Sequence, residues 1–344
     1  MEVKSLGKFP DRFIEEIAGQ PDAIRRAEAA LSRQADGVAR LRRALDHPEP
    51  VIFTGMGSSY DASYPAVTTL AGRGVDCWML DTAELLHFRM AAMRRAGVLV
   101  CISQSGESAE LVKLVDRLPT ERPLVAAVTN GGQNTLARAA DIALDTGAGE
   151  EHGPSTMTFA GALAVLDALV GDPPFERTAL EMERLLAEPE ATADRLCEWI
   201  DGRPTLALVG RGSARAAAEM GALTLKEAAR FPAESLQAAQ FRHGPLELAG
   251  PRLAVIVIAT EPRTRDLELG LAGELAAAGA AVLVVSQDGE APDGCESIAV
   301  GPLENGLAAA AATIPAQLLA WRLARSRGLT PGEFAIAGKV TTRE

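Results

Sequence analysis

The chain has 344 residues, 47% of them hydrophobic, which is long and apolar enough for two ordinary domains with full cores. A formal net charge of -12 argues against nucleic acid or an anionic membrane surface as a partner, while leaving room for a local cationic pocket. The start, Met1-Glu2-Val3-Lys4, has no signal-peptide apolar core, and no apolar run reads as membrane-spanning, so a cytoplasmic protein is expected.

Residues 1–46 read as a charged N-terminal helical segment, a cap rather than a domain. From Val51 the pattern alternates: strands at 51–54, 76–80, 98–102, 124–128 and 142–144, separated by helices and followed by a long apolar helix from Ser155 to Val170. Such alternation predicts right-handed βαβ units and a doubly wound parallel sheet, here a first α/β domain over 47–172. Pro173 and Pro174 break the pattern, and a charged helical linker spans 173–202. A second domain over 203–327 repeats the first, and a tail of 328–344 follows. Thr54-Gly55-Met56-Gly57-Ser58 returns as Val209-Gly210-Arg211-Gly212-Ser213, Val100–Ile102 as Ile256–Ile258, and Ala127–Thr129 as Val284–Ser286, at nearly constant offset. Within the second copy, Ala233–Phe241 reads as a short helix, stopped by Gly244-Pro245.

The chemistry concentrates where strands end. The third strand runs into Ser103-Gln104-Ser105-Gly106-Glu107-Ser108, a hydroxyl-rich turn that opens a helix. Its amides, the helix dipole and the hydroxyls can hold an anion at the carboxyl edge of the sheet without a metal or a lysine. The first strand ends in Gly55-x-Gly57-Ser58-Ser59, where glycine permits a tight turn and close approach of a ligand. With Asp81 it suggests dinucleotide binding, but Tyr60 stands where a third glycine belongs. Ser155 and Thr156 are N-cap residues or ligand contacts at another strand end. The equivalent third-strand loop of the second copy, Ala259-Thr260-Glu261-Pro262, carries an acid in place of serines, so only the first copy should bind a phosphate. Ser286-Gln287-Asp288-Gly289-Glu290 mimics the motif but follows the fourth strand. Glu227, late in a helix from about Ser213, and His243 at a helix end are either solvated surface groups or an acid–base pair. The cysteines, Cys77, Cys101, Cys197 and Cys295, lack metal-ligand spacing and read as reduced thiols.

Together with Ala148-Gly149-Glu150-Glu151, Leu225-Lys226-Glu227, Phe241-Arg242-His243-Gly244-Pro245 and Gly338-Lys339-Val340-Thr341, these elements resemble the sugar isomerase (SIS) family. The likeness is closest to double-SIS phosphosugar isomerases, amino-sugar phosphate deaminases and the isomerase half of glucosamine-6-phosphate synthase. It implies two tandem flavodoxin-like SIS domains. It further implies that Gly57, Ser58, Ser59, Ser103, Gln104, Ser105, Ser108, Ser155 and Thr156 hold a sugar phosphate. Glu227 would be the base moving a proton between C1 and C2. His243 would open the sugar ring from a neighbouring subunit of a homodimer, and Lys339 would reach the site from the tail. The resemblance calls for no metal or other cofactor. The chain departs from the synthases at three places. Thr224 and Met157 stand where they carry lysines, and the Pro-Arg pair before the terminal lysine is missing from Gly332–Ala335. It also starts at Met1 without the N-terminal cysteine of a glutaminase. The expected function is therefore phosphosugar isomerase or amino-sugar 6-phosphate deaminase. A sugar-phosphate sensor without turnover is the alternative.

Overall fold

The computed structural model describes residues 11–336 and 338–343. Two five-stranded sheets, parallel throughout, follow each other along the chain. The first contains β1 (Val51–Gly55), β2 (Cys77–Asp81), β3 (Val98–Ser103), β4 (Leu124–Thr129) and β5 (Ile142–Asp145), in the spatial order β2-β1-β3-β4-β5. The second contains β6 (Thr205–Gly210), β7 (Ala233–Gln237), β8 (Leu253–Ala259), β9 (Ala281–Ser286) and β10 (Glu296–Ala299), in the matching order β7-β6-β8-β9-β10. This is the architecture that the α/β alternation predicts. It follows from short apolar runs, buried on both faces, joined by helical crossovers.

Alternation along each strand divides the core. Phe53, Val100 and Val128 of the first sheet share one apolar cluster with Leu208, Ile256 and Leu283 of the second. The layer between them is built from the helices Met157–Val170 and Asn305–Ser326, whose buried faces are almost entirely aliphatic. The opposite faces close separately, around Leu99, Cys101 and Val125 in the first copy and Val209, Val257 and Val284 in the second. Met182, Leu196 and Trp199, from the helices Phe175–Leu185 and Pro189–Ile200 between the copies, join the shared layer. So do Phe13, Ile14 and Ile24 from the N-terminal helices.

Two sequence expectations are corrected. Ala233–Gln237 is a strand and only Ala238–Phe241 is helical. The segment pairs in register with β6, from Leu206 against Ala233 to Gly210 against Gln237, and this pairing overrides the helix-favouring composition of Ala-Glu-Ser-Leu-Gln. Second, the helix Asn305–Ser326 is long and apolar enough to cross a membrane, the only such helix among the described residues. Its apolarity has another cause, because 94% of its apolar window is buried inside the protein.

A single carboxylate ties the two long helices together. Asp167, near the end of the first, accepts hydrogen bonds from the Gly306 and Leu307 amides at 3.0 and 2.9 Å, which are the opening donors of the second. Burial pushes its pKa up to about 7 despite these donors. Asp167→Ala leaves both buried amides without a partner and should lower the free energy of unfolding by about 2–4 kcal/mol. A urea midpoint equal to wild type would contradict that role for Asp167.

Candidate active site

The strand-end turns of the first copy converge on a cavity of about 320 Å³. Met56–Ser59 after β1, and Ser103, Gln104, Ser105 and Ser108 after β3, line one side. Pro154 and Ser155 precede the long helix. Leu223 and Glu227 come from a helix of the second copy (Arg215–Ala229), and Phe334 with Gly338–Thr341 comes from the tail.

Local chemistry explains the turns. Gly57 has φ +52, a left-handed conformation that glycine adopts without steric cost, and it starts the turn Ser58–Asp61. Gly106, at φ +64, passes so close to Asn134 that a Cβ would lie 2.0 Å from its Oδ1. The serine loop is internally fixed: Ser103 Oγ accepts from the Gly106 amide and Ser105 Oγ from the Glu107 amide, both at 3.1 Å. Ser103 and Ser108 hydroxyls lie 3.3 Å apart, and Ser58 Oγ donates to Ser155 Oγ at 3.0 Å. Four hydroxyls from three separate turns thus face one another around the cavity wall. The tail closes the opposite edge, where the Thr341 carbonyl accepts from the Ala109 amide at the start of the helix Ala109–Asp116.

The charged residues of the lining are Glu110, Glu227 and Lys339. Glu227 is half-buried, and burial pushes its carboxyl up to about 7. The nearby positive charges of Lys339 and Lys226 pull it down, and Glu151 pushes it up. Lys339 Nζ donates to Glu151 Oε2 at 2.6 Å and to the Gly153 carbonyl at 2.7 Å.

Of the residues singled out from sequence, Gly57, Ser58, Ser59, Ser103, Gln104, Ser105, Ser108, Ser155, Glu227 and Lys339 line this one cavity. Thr156 does not. It is fully buried, and both its amide and its hydroxyl go to Glu151 Oε1, at 2.8 and 3.0 Å. His243 is exposed, beyond the helix Ala238–Phe241 and outside the cavity lining of its own chain. Thr224 donates to the Met220 carbonyl within its helix, and Met157 packs against Gly19 and Arg26, so neither position faces the cavity. Asp81 accepts from the Glu84 amide as a helix cap, which accounts for an acid at the end of β2. Gln237 does the same for Gln240 in the second copy. The mimic loop after β9 has its acids paired, because Arg265 binds both Asp288 and Glu290.

Sequence reasoning assigned no role to Glu151, Glu110 or Phe334. The first is the most consequential, since its side chain is wholly buried beside Lys339. The signal available was its place five residues ahead of Thr156, where a carboxylate can cap an oncoming helix.

A profile of the SIS domain matches residues 45–171 and again 200–326. The chain belongs to the SIS domain family. Among curated proteins it is 29% identical, over its full length, to a glutamine–fructose-6-phosphate aminotransferase [isomerizing] of Pyrobaculum aerophilum, and covers 59% of that relative. It is 28% identical to the counterpart in Pyrococcus horikoshii, covering 60% of it. The SIS chain thus spans about three fifths of the length of these relatives. Among solved structures, the C-terminal domain of glucosamine-fructose-6-phosphate aminotransferase from Francisella tularensis superposes with a TM-score of 0.80 at 22% identity, covering 96% of this chain and 99% of that one. Tagatose-6-phosphate ketose/aldose isomerase from Escherichia coli gives 0.81 at 20% identity, covering 94% and 95%. These two likenesses establish the double-SIS fold.

The electrostatics of the pair are directly measurable. Lys339→Met removes a positive charge that favours ionised Glu227, so the Glu227 carboxyl should titrate above about 7 in the variant. Infrared difference spectra against Glu227→Gln read this midpoint. An unchanged or lowered value would contradict the arrangement.

Proposed function

We propose that this SIS protein is an aldose–ketose isomerase-class enzyme acting on a hexose or hexosamine 6-phosphate, either as a phosphosugar isomerase or as an amino-sugar 6-phosphate deaminase. One observation carries the reading. A partly desolvated carboxylate and an ammonium group face a hydroxyl-lined cavity at the carboxyl ends of parallel strands. The names of its relatives, aminotransferase [isomerizing] and ketose/aldose isomerase, belong to the same chemistry.

In this reading the hydroxyls of Ser58, Ser103, Ser105 and Ser108, with the amides of their turns, take the phosphate. The open-chain sugar then extends toward Glu227. Glu227 removes the proton from C2 of the aldose, electrons move to form the C1–C2 enediol, and the same proton returns at C1 to give the ketose. A hydroxyl proton moves from O2 to O1 to complete the balance. A carboxyl with a pKa near 7 suits both halves of that transfer, because it can take a proton and give it back near neutral pH. Lys339 supplies positive charge where the enediolate forms. For an amino sugar, the same transfer yields a C2 imine, whose hydrolysis releases ammonia. His243, exposed and outside its own chain's cavity, would act in ring opening from a second subunit of a homodimer.

Turnover on a panel of hexose and hexosamine 6-phosphates, followed by isomer formation and ammonia release, tests the reading. Glu227→Gln should lower kcat by about 10²–10⁴-fold with substrate binding nearly intact. The kcat/KM of wild type should rise as pH passes through about 7, because the base acts only when ionised. Tight binding of a sugar phosphate with no turnover, identical in both proteins, would instead make this a sensor. Mixing Glu227→Gln and His243→Ala chains tests the shared site: hybrid dimers hold one intact constellation, so about one quarter of wild-type activity should return. No recovery after subunit exchange would place ring opening elsewhere.

A further inference from the structure

Behind the cavity wall, against Lys339, lies a carboxylate that the proposed chemistry leaves without a part. Both oxygens of Glu151 are engaged, and its side chain has no exposure. Oε1 accepts from the Thr156 amide at 2.8 Å, the Thr156 hydroxyl at 3.0 Å and the Thr158 amide at 3.1 Å. Oε2 accepts from the Thr158 hydroxyl and from Lys339 Nζ. Four of these five donors belong to the first residues of a long, fully buried helix. The carboxylate therefore cannot turn without breaking the helix start.

Lys339 is the opposite case. It sits in a tail without regular secondary structure, on a side chain with four rotatable bonds, and still lines the cavity. An ammonium has three N–H donors, and two are taken by anchored acceptors, Glu151 Oε2 and the Gly153 carbonyl. We infer that Glu151 is a positioning residue: it fixes Lys339 Nζ at the wall so that its remaining N–H faces the reacting end of the substrate. A carboxylate serves better than a neutral acceptor here, because it also balances the charge it holds in a partly dry site. The inference rests on the proposed function only in giving Lys339 a substrate to meet.

The test separates the two. Limited acetylation of the substrate-free protein, read peptide by peptide, should modify Lys339 about tenfold more slowly than exposed Lys226, because an anchored ammonium is a poor nucleophile. Glu151→Gln should abolish that protection. With a hexose 6-phosphate as probe, the variant should keep its affinity within about threefold and lose on the order of 10²-fold in kcat. Adding Lys339→Met to Glu151→Gln should cost nothing beyond Lys339→Met alone. Equal acetylation of Lys339 and Lys226 in wild type would overturn the inference even if Glu151→Gln fails to fold. So would an unchanged kcat, or a loss confined to KM, in a folded variant. Absence of sugar-phosphate binding by wild type would instead overturn the proposed function, with the acetylation result still deciding the role of Glu151.

Discussion

The site exists because two copies of one α/β unit share a single apolar layer. Glu227 belongs to the second copy, whereas the hydroxyl turns it faces belong to the first. The packed layer of Met157–Val170 and Asn305–Ser326, flanked by strands of both sheets, holds them at a fixed separation, together with direct packing of the Glu227 helix on the turn Ser58–Asp61. A close-packed interior of this kind transmits position, since neither sheet can shift without opening voids beneath the other. Asp167, bridging the two helices through buried amides, is the polar counterpart of that constraint.

Within the cavity, desolvation and charge act on Glu227 in opposite directions. Burial favours the protonated Glu227 carboxyl, and the positive charges of Lys339 and Lys226 favour the ionised form. The two effects meet at about 7, the condition under which one group can both accept and return a proton. Glu151 enters twice, raising Glu227 through its negative charge and holding the lysine that lowers it. The hydroxyl-lined side needs no such balance. Hydroxyls and amides preset by their own hydrogen bonds are already oriented before any ligand arrives.

Much of this arrangement was legible in the residues. Apolar runs ending in Gly or Ser predicted the strand ends, and every strand of the first sheet was anticipated within a residue or two. In the second sheet β10 was not anticipated and β7 was read as a helix, and the latter is instructive. Ala233–Gln237 lacks β-branched or aromatic residues, so composition favours a helix, and it is pairing with β6 that makes it a strand. The repeat could have found it, because Cys77–Asp81 and Ala233–Gln237 lie at the same nearly constant offset as the other repeated segments. The cavity-lining serines after β1 and β3 were readable because their turns follow the strands directly. The orientation of Thr156 was not, since the side chain that claims it, Glu151, lies on an irregular loop whose path only tertiary packing decides. The same applies to Thr224 and Met157, which sequence position puts near the reacting groups and packing turns away.

Everything here depends on an anion settling among the turns after β1 and β3, with the sugar chain reaching toward Glu227. A crystal structure of this SIS protein with a hexose 6-phosphate tests that most directly. The account predicts the phosphate against Ser58, Ser103, Ser105 and Ser108, with C1 and C2 beside the Glu227 carboxylate. A phosphate bound in the second copy, or at the Lys339 end of the cavity, would contradict it.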